Sequence, residues 1–175
     1  MTETEPAGSN VVFLCTGNAA RSVMAGRFME ESGVAATVVT AGTHVVENQP
    51  MSRRTRAAML AVGVDPGSHR SHQLTDADVQ SADLIVTMEP EHVSFVRRRY
   101  PEAASRTATI RYLEEHLQAG AEPLGDRVAQ LHLQDVAPEA QGEIDDPAGK
   151  EEPEYIECAA ALHEVIQKLA PSLKG

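Results

Sequence analysis

Residues 11–22 read Val11-Val12-Phe13-Leu14-Cys15-Thr16-Gly17-Asn18-Ala19-Ala20-Arg21-Ser22, and the fold follows from how this stretch divides. Four consecutive apolar residues make a short strand of the kind buried on both faces, and it ends at Cys15. From Ser22 to Ser32 the apolar side chains Val23, Met24, Phe28 and Met29 fall near helical spacing, and Gly33 supplies the stop. The reading is therefore strand, loop, helix. A loop of this length can wrap one tetrahedral oxyanion with successive backbone N–H groups, while the following helix turns its positive end to the same point. Gly17 and Asn18 tolerate the left-handed backbone angles of a tight curl, and Ala19 and Ala20 let the backbone close in. Arg21 adds a planar fork that matches two oxygens of a phosphate.

In that field the Cys15 thiol is expected to ionise more readily than a free thiol, because a helix N-terminus and a guanidinium both favour the thiolate. The thiolate is the nucleophile, and Ser22 is placed to donate a hydrogen bond to the sulfur. A lone Cys and a lone Arg would more often be a core thiol and a surface charge. A strand-end Cys, a turn-forming Gly-Asn pair and an Arg-Ser that opens a helix rarely coincide by accident.

Outward from this point the alternation continues. Thr37–Ala41 is β-branched and short, and Met51–Val62 is helical by composition with Gly63 beyond it. Leu84–Met88 reads as a third buried strand, Pro90 opens a helix running to about Tyr100, and Thr107–Ile110 reads as a fourth strand. Glu151–Leu169 is the clearest amphipathic helix, with Tyr155, Ile156, Ala159, Leu162, Val165, Ile166 and Leu169 on one face. The expected architecture is a three-layer α/β sandwich, a central four-stranded parallel sheet with helices on both faces and ligands beyond the strands' carboxyl ends. Gln118–Gly149, rich in Gly, Pro, Ala and acidic residues, reads as a long surface excursion with a helical turn or two around Leu124–Leu133.

A chain of 175 residues suits one domain, here residues 11–175 after a polar leader over residues 1–10 that is expected to be disordered. The formal charge of −11 repels nucleic acid and anionic membrane surfaces, so neither is expected as a partner. Two Cys imply no disulfide framework, the first ten residues lack a secretory pattern, and no apolar run approaches bilayer length, so a cytoplasmic location is the expectation. The seven His are scattered and no metal-ligand spacing stands out, so neither metal nor cofactor is expected. Cys158 reads as a small hydrophobe of the last helix and Arg97-Arg98-Arg99 as a solvated face.

The stretch Cys15–Ser22 resembles the signature of the low-molecular-weight protein tyrosine phosphatases. The likeness extends to Thr40-Ala41-Gly42-Thr43, Ser71-His72-Gln73-Leu74, Ala82–Met88, and Asp146-Pro147 with the helix that carries Glu152, Tyr155 and Ile156. It implies a phosphomonoester hydrolase working through a cysteinyl-phosphate, with Cys15, Arg21 and Asp146 catalytic and Thr16, Gly17, Asn18, Ala19, Ala20 and Ser22 binding substrate. The substrate implied is a phosphorylated protein or a small phosphomonoester. Asp146, stiffened by Pro147, takes the acid-base role by this resemblance, and Asp145 is its rival. His72 lies in a stretch where the family can brace Asn18 with a polar side chain, though a plain surface His fits as well.

The sequence departs from the family in three places. Ala20 stands where members typically carry a second Cys, so peroxide is expected to drive Cys15 past the sulfenic stage irreversibly unless a small thiol intervenes. Val23 replaces a common Pro. Ala148 and the segment His44-Val45-Val46-Glu47 lack the aromatics that wall the cleft of phosphotyrosine-selective relatives. Arsenate reductases share the scaffold and form the alternative. The thioredoxin-linked kind needs two further Cys where this chain has only Cys158, which leaves a version resolved by a small-molecule thiol. A third alternative is an inactive phosphate-binding or protein-binding module.

Overall fold

The computed structural model describes residues 8–175. Four strands, β1 (Ser9–Cys15), β2 (Ala36–Gly42), β3 (Leu84–Thr87) and β4 (Thr107–Thr109), form one sheet in the order β2-β1-β3-β4. All neighbouring strands run parallel, with Cys15 opposite Gly42 and Leu14 opposite Thr87. Among the described residues seven α-helices connect and cover them: α1 (Arg21–Glu31), α2 (Arg53–Ala61), α3 (Asp76–Ser81), α4 (Pro90–Arg99), α5 (Ile110–His116), α6 (Leu124–Ala129) and α7 (Glu152–Leu169). This is the expected three-layer sandwich.

The alternation of β1 divides the core. Val11, Phe13 and Cys15 join a cluster with Met24, Phe28, Met59, Leu113, Leu162 and Ile166, beneath α1, α2, α5 and α7. Val12 and Leu14 point the other way, into a smaller cluster with Val79, Ile85, Val96 and Tyr100 beneath α3 and α4. Burial on both faces is what an uninterrupted apolar run in a parallel strand requires. On α7 the buried positions Tyr155, Cys158, Ala159, Leu162, Val165, Ile166 and Leu169 trace a helical stripe against the sheet.

Several expectations are corrected. Residues 1–7 of the anticipated leader lie outside the described residues, and its last two positions, Ser9 and Asn10, already belong to β1, paired with Ala36 and Thr37. β4 stops at Thr109 because the Thr109 hydroxyl caps α5 by accepting from the Tyr112 N–H. Arg97 is no plain solvated charge, since its Nη2 donates to the Leu133 and Val136 carbonyls at 2.7 Å each. These bonds help pin residues 118–149, which carry α6 and bury Leu124, Val128, Leu133 and Ile144 in the larger core. The excursion is thus largely packed. Its anchor at the far end is Gln141, whose Oε1 accepts from the Thr109 N–H at 2.9 Å.

Candidate active site

The chain leaves β1 at Cys15 and curls over the carboxyl edge of the sheet before α1 begins. Two N–H groups from the end of β2 hold the first half of the curl, Thr43 donating to the Cys15 carbonyl (3.0 Å) and His44 to that of Thr16 (2.9 Å). Gly42 makes this approach possible, because a Cβ there would lie 2.5 Å from the Thr16 carbonyl oxygen and 2.9 Å from the Asn18 nitrogen. Asn18 is fully buried and adopts φ 49°, the left-handed conformation that turns the loop. Gly17 is not needed for that, since its φ is not in the left-handed region.

Asn18 is the hub of the curl. Its Nδ2 donates to Ser22 Oγ (2.9 Å), its Oδ1 accepts from the His72 backbone N–H (2.9 Å), and its carbonyl accepts from His69 Nε2 (2.9 Å). The bracing from the His72 segment therefore comes through the backbone, while the His72 side chain turns to Asp78 Oδ2 at 2.7 Å. The Thr55 hydroxyl, on α2, donates to the Ala19 carbonyl at 2.9 Å. Around this frame the N–H groups of residues 17–22 have no protein acceptor among the described residues. They gather at the N-terminus of α1 in the arrangement that suits an anion-binding nest. At its floor Cys15 Sγ lies 3.0 Å from Ser22 Oγ.

Arg21 is among the largest fully buried side chains of the described residues. Its Nη1 donates to Glu89 Oε2 at 2.6 Å and to the Ile144 carbonyl at 3.0 Å, and its Nη2 lies 3.3 Å from Asp146 Oδ2. Burial opposes the guanidinium charge, but the Glu89 bond and the charges of Asp146 and Cys15 outweigh it and hold Arg21 above its ordinary value. Of the two adjacent carboxylates, Asp146 is the one the structure brings to Arg21. Its side chain is 44% exposed, and Oδ1 accepts from the Ala148 N–H at 3.0 Å. Asp145 makes no ion pair among the described residues, and both carboxylates border a cavity of about 280 Å³. Glu143, Arg111, Lys150, Glu154, Glu157 and Cys158 also line that cavity. Burial pushes the Cys158 thiol up to about 12.

Four participants escape sequence reasoning, the first being the Thr55 hydroxyl. Glu89 and His92 sit at the start of α4, where one anchors Arg21 and the other places Nε2 at 2.9 Å from Thr16 Oγ1. His69 approaches from the loop between α2 and α3. Only Pro90 marked this turn in the sequence, and it signals a helix start rather than a site. At the mouth His44 packs edge-on against Phe95, ring centroids 5.7 Å apart, while Ala148 and Val46 are exposed.

Comparison with known proteins places this geometry. Residues 10–175 match the family model described as low molecular weight phosphotyrosine protein phosphatase. A protein-arginine-phosphatase of Geobacillus stearothermophilus is 29% identical over 102 residues, 58% of this chain and 68% of that protein. A probable low molecular weight protein-tyrosine-phosphatase, EpsP, of Ralstonia nicotianae is 28% identical over 105 residues, 60% of this chain and 72% of that protein. Among solved structures, the YwlE arginine phosphatase from Geobacillus stearothermophilus superposes with a TM-score of 0.74 at 25% identity, covering 93% of this chain and 90% of that one. The low molecular weight protein tyrosine phosphatase from T. tengcongensis gives 0.71 at 28% identity, covering 92% and 97%.

Proposed function

Because this chain belongs to the low molecular weight phosphotyrosine protein phosphatase family, we propose that it hydrolyses phosphomonoesters through a cysteinyl-phosphate on Cys15. The reading rests above all on one arrangement, Cys15 Sγ lying 3.0 Å from Ser22 Oγ at the floor of a nest whose amides have no protein acceptor among the described residues.

The phosphoryl group seats on the amides of Thr16, Gly17, Asn18, Ala19 and Ala20, with Arg21 neutralising its equatorial charge. Cys15 Sγ attacks phosphorus, the S–P bond forms as the P–O bond to the leaving group breaks, and Asp146 gives its proton to the departing oxygen. Water then attacks phosphorus, Asp146 takes its proton back, and the sulfur leaves as a thiolate that the Ser22 hydroxyl stabilises. The 3.3 Å between Asp146 and Arg21 supports Asp146 over Asp145 for this role. An exposed acid beside a buried cation suits a group that must meet both substrate and water.

The substrate class is a phosphorylated protein or a small phosphomonoester, the described residues 8–175 act as one unit, and the setting is the reducing cytoplasm, consistent with Cys15 and Cys158 both being free thiols. Among the described residues no helix is long and apolar enough to cross a membrane. A second reading keeps the chemistry and changes the leaving group to a guanidinium. Its support is the resemblance to arginine phosphatases and the carboxylates of Glu143, Asp145, Glu154 and Glu157 along the cavity beside Asp146. Arsenate reduction with Cys158 as the resolving thiol fits less well, since burial raises that thiol to about 12, and the version resolved by a small-molecule thiol is what the glutathione assay reads.

The test is hydrolysis of p-nitrophenyl phosphate, phosphotyrosine peptide and phosphoarginine by the wild type, Cys15→Ser and Asp146→Ala, with arsenate turnover in the presence of glutathione. Cys15→Ser is expected to abolish hydrolysis, and Asp146→Ala to lower kcat by about 10²–10⁴. Hydrolysis surviving in Cys15→Ser, or arsenate as the only substrate turned over, would overturn the reading.

A further inference from the structure

His92 is 2% exposed, and its Nε2 lies 2.9 Å from the hydroxyl of Thr16, an exposed residue at the mouth of the nest. Its other ring nitrogen, Nδ1, is buried with no hydrogen-bond partner among the described residues. Burial first, then the neighbouring Arg21 charge, lowers its pKa to about 3 against the opposing pull of Asp146, so near neutrality the ring carries one proton. Hydrogen-bond accounting assigns that proton. On Nδ1 it would be a buried donor with nothing to receive it, whereas on Nε2 it enters the bond with Thr16 and leaves only an unpaired acceptor. Glu89 Oε1, 3.9 Å from Nε2, favours the same tautomer by its negative charge.

The Thr16 oxygen therefore accepts from His92, and its own proton must point elsewhere. Building on the phosphatase reading, we propose that His92 is a positioning residue, holding the Thr16 hydroxyl as an additional donor to the phosphoryl group seated in the nest. The nest then has a side-chain donor at its mouth as well as the backbone amides at its base. Glu89 and His92 stand one helical turn apart on the same face of the chain, so α4 fixes both Arg21 and Thr16, the two ends of the loop.

Two measurements test this. Imidazole nitrogen chemical shifts of the wild type read the tautomer directly, with Nε2–H expected, and a proton on Nδ1 overturns the proposal without any variant. Inorganic phosphate, as a competitive inhibitor and in calorimetry, reads the donor. Thr16→Val and His92→Leu are each expected to weaken phosphate binding about tenfold, Thr16→Ser and His92→Gln to restore most of it, and the double variant Thr16→Val/His92→Leu to be no weaker than either alone. Additive losses, or a His92→Gln protein as weak as His92→Leu, would leave His92 a merely structural residue and overturn the proposal. A wild type that binds phosphate no better than Thr16→Val overturns this proposal alone. A wild type that neither binds phosphate nor hydrolyses p-nitrophenyl phosphate overturns the phosphatase reading and this one with it.

Discussion

Cys15 and Cys158 are both nearly sealed from solvent, at 3% and 7% exposure, and both belong to the same hydrophobic cluster. Their surroundings nevertheless prepare opposite chemistry. Cys15 ends a strand, stands before a helix N-terminus, and has a hydroxyl 3.0 Å from its sulfur. Cys158 lies in the second turn of α7, and burial raises its thiol to about 12. Burial alone thus says nothing about reactivity; what differs is whether polar groups aim at the sulfur.

The largest effect expected from this contrast is on turnover. Cys15→Ser is expected to lower p-nitrophenyl phosphate hydrolysis by at least ~10³, and Cys158→Ala to leave kcat within about twofold. A comparable loss in both would erase the distinction. Alkylation comes next. Near neutral pH iodoacetate is expected to label Cys15 at least ~100 times faster than Cys158, with inorganic phosphate protecting Cys15 only. Cys158 stays protonated well below its value of about 12, so raising the pH from 7 to 9 is expected to leave it unlabelled in the folded protein.

Peroxide sharpens the contrast further. With Ala20 where relatives carry a second thiol, Cys15 is expected to reach the sulfinic and sulfonic stages, read by mass spectrometry, while Cys158 stays reduced. An intramolecular Cys15–Cys158 disulfide would break the comparison. The smallest effect is on stability. Gly42→Ala forces a Cβ against backbone atoms of the loop and is expected to cost about 1–3 kcal/mol in denaturant unfolding, against about 1 kcal/mol for Cys158→Ala.

The sheet and the nest were legible because local pattern encodes them. An apolar run, a fixed-spacing loop and a helix start lie within twelve consecutive positions, residues 11–22. The four strands and α1, α2, α4 and α7 follow from the same signals. The short helices α3 and α5 did not, since six or seven residues carry too little periodicity and their starts rest on the side-chain caps of Thr75 and Thr109. Likewise Glu89, His92 and His69 reach the loop from 51 to 76 positions away in sequence. Nothing local distinguishes a His that ends beneath Thr16 from one on a solvated face. Asp146 is intermediate, since the family resemblance rather than any local pattern set it ahead of Asp145, and in the fold it is the one of the pair that lies beside Arg21.

Ile144 lies two positions before Asp146, and both of its backbone groups are tied down, one to the residue after β3 and the other to the start of α1. Its N–H donates to the Met88 carbonyl at 2.8 Å, and its own carbonyl receives Arg21. Together these two bonds fix the chain just ahead of Asp146. A change of length between α6 and Gln141 would have to spare Leu133, buried in the larger core, and the Leu133 and Val136 carbonyls held by Arg97, while the two bonds at Ile144 keep Asp146 beside Arg21.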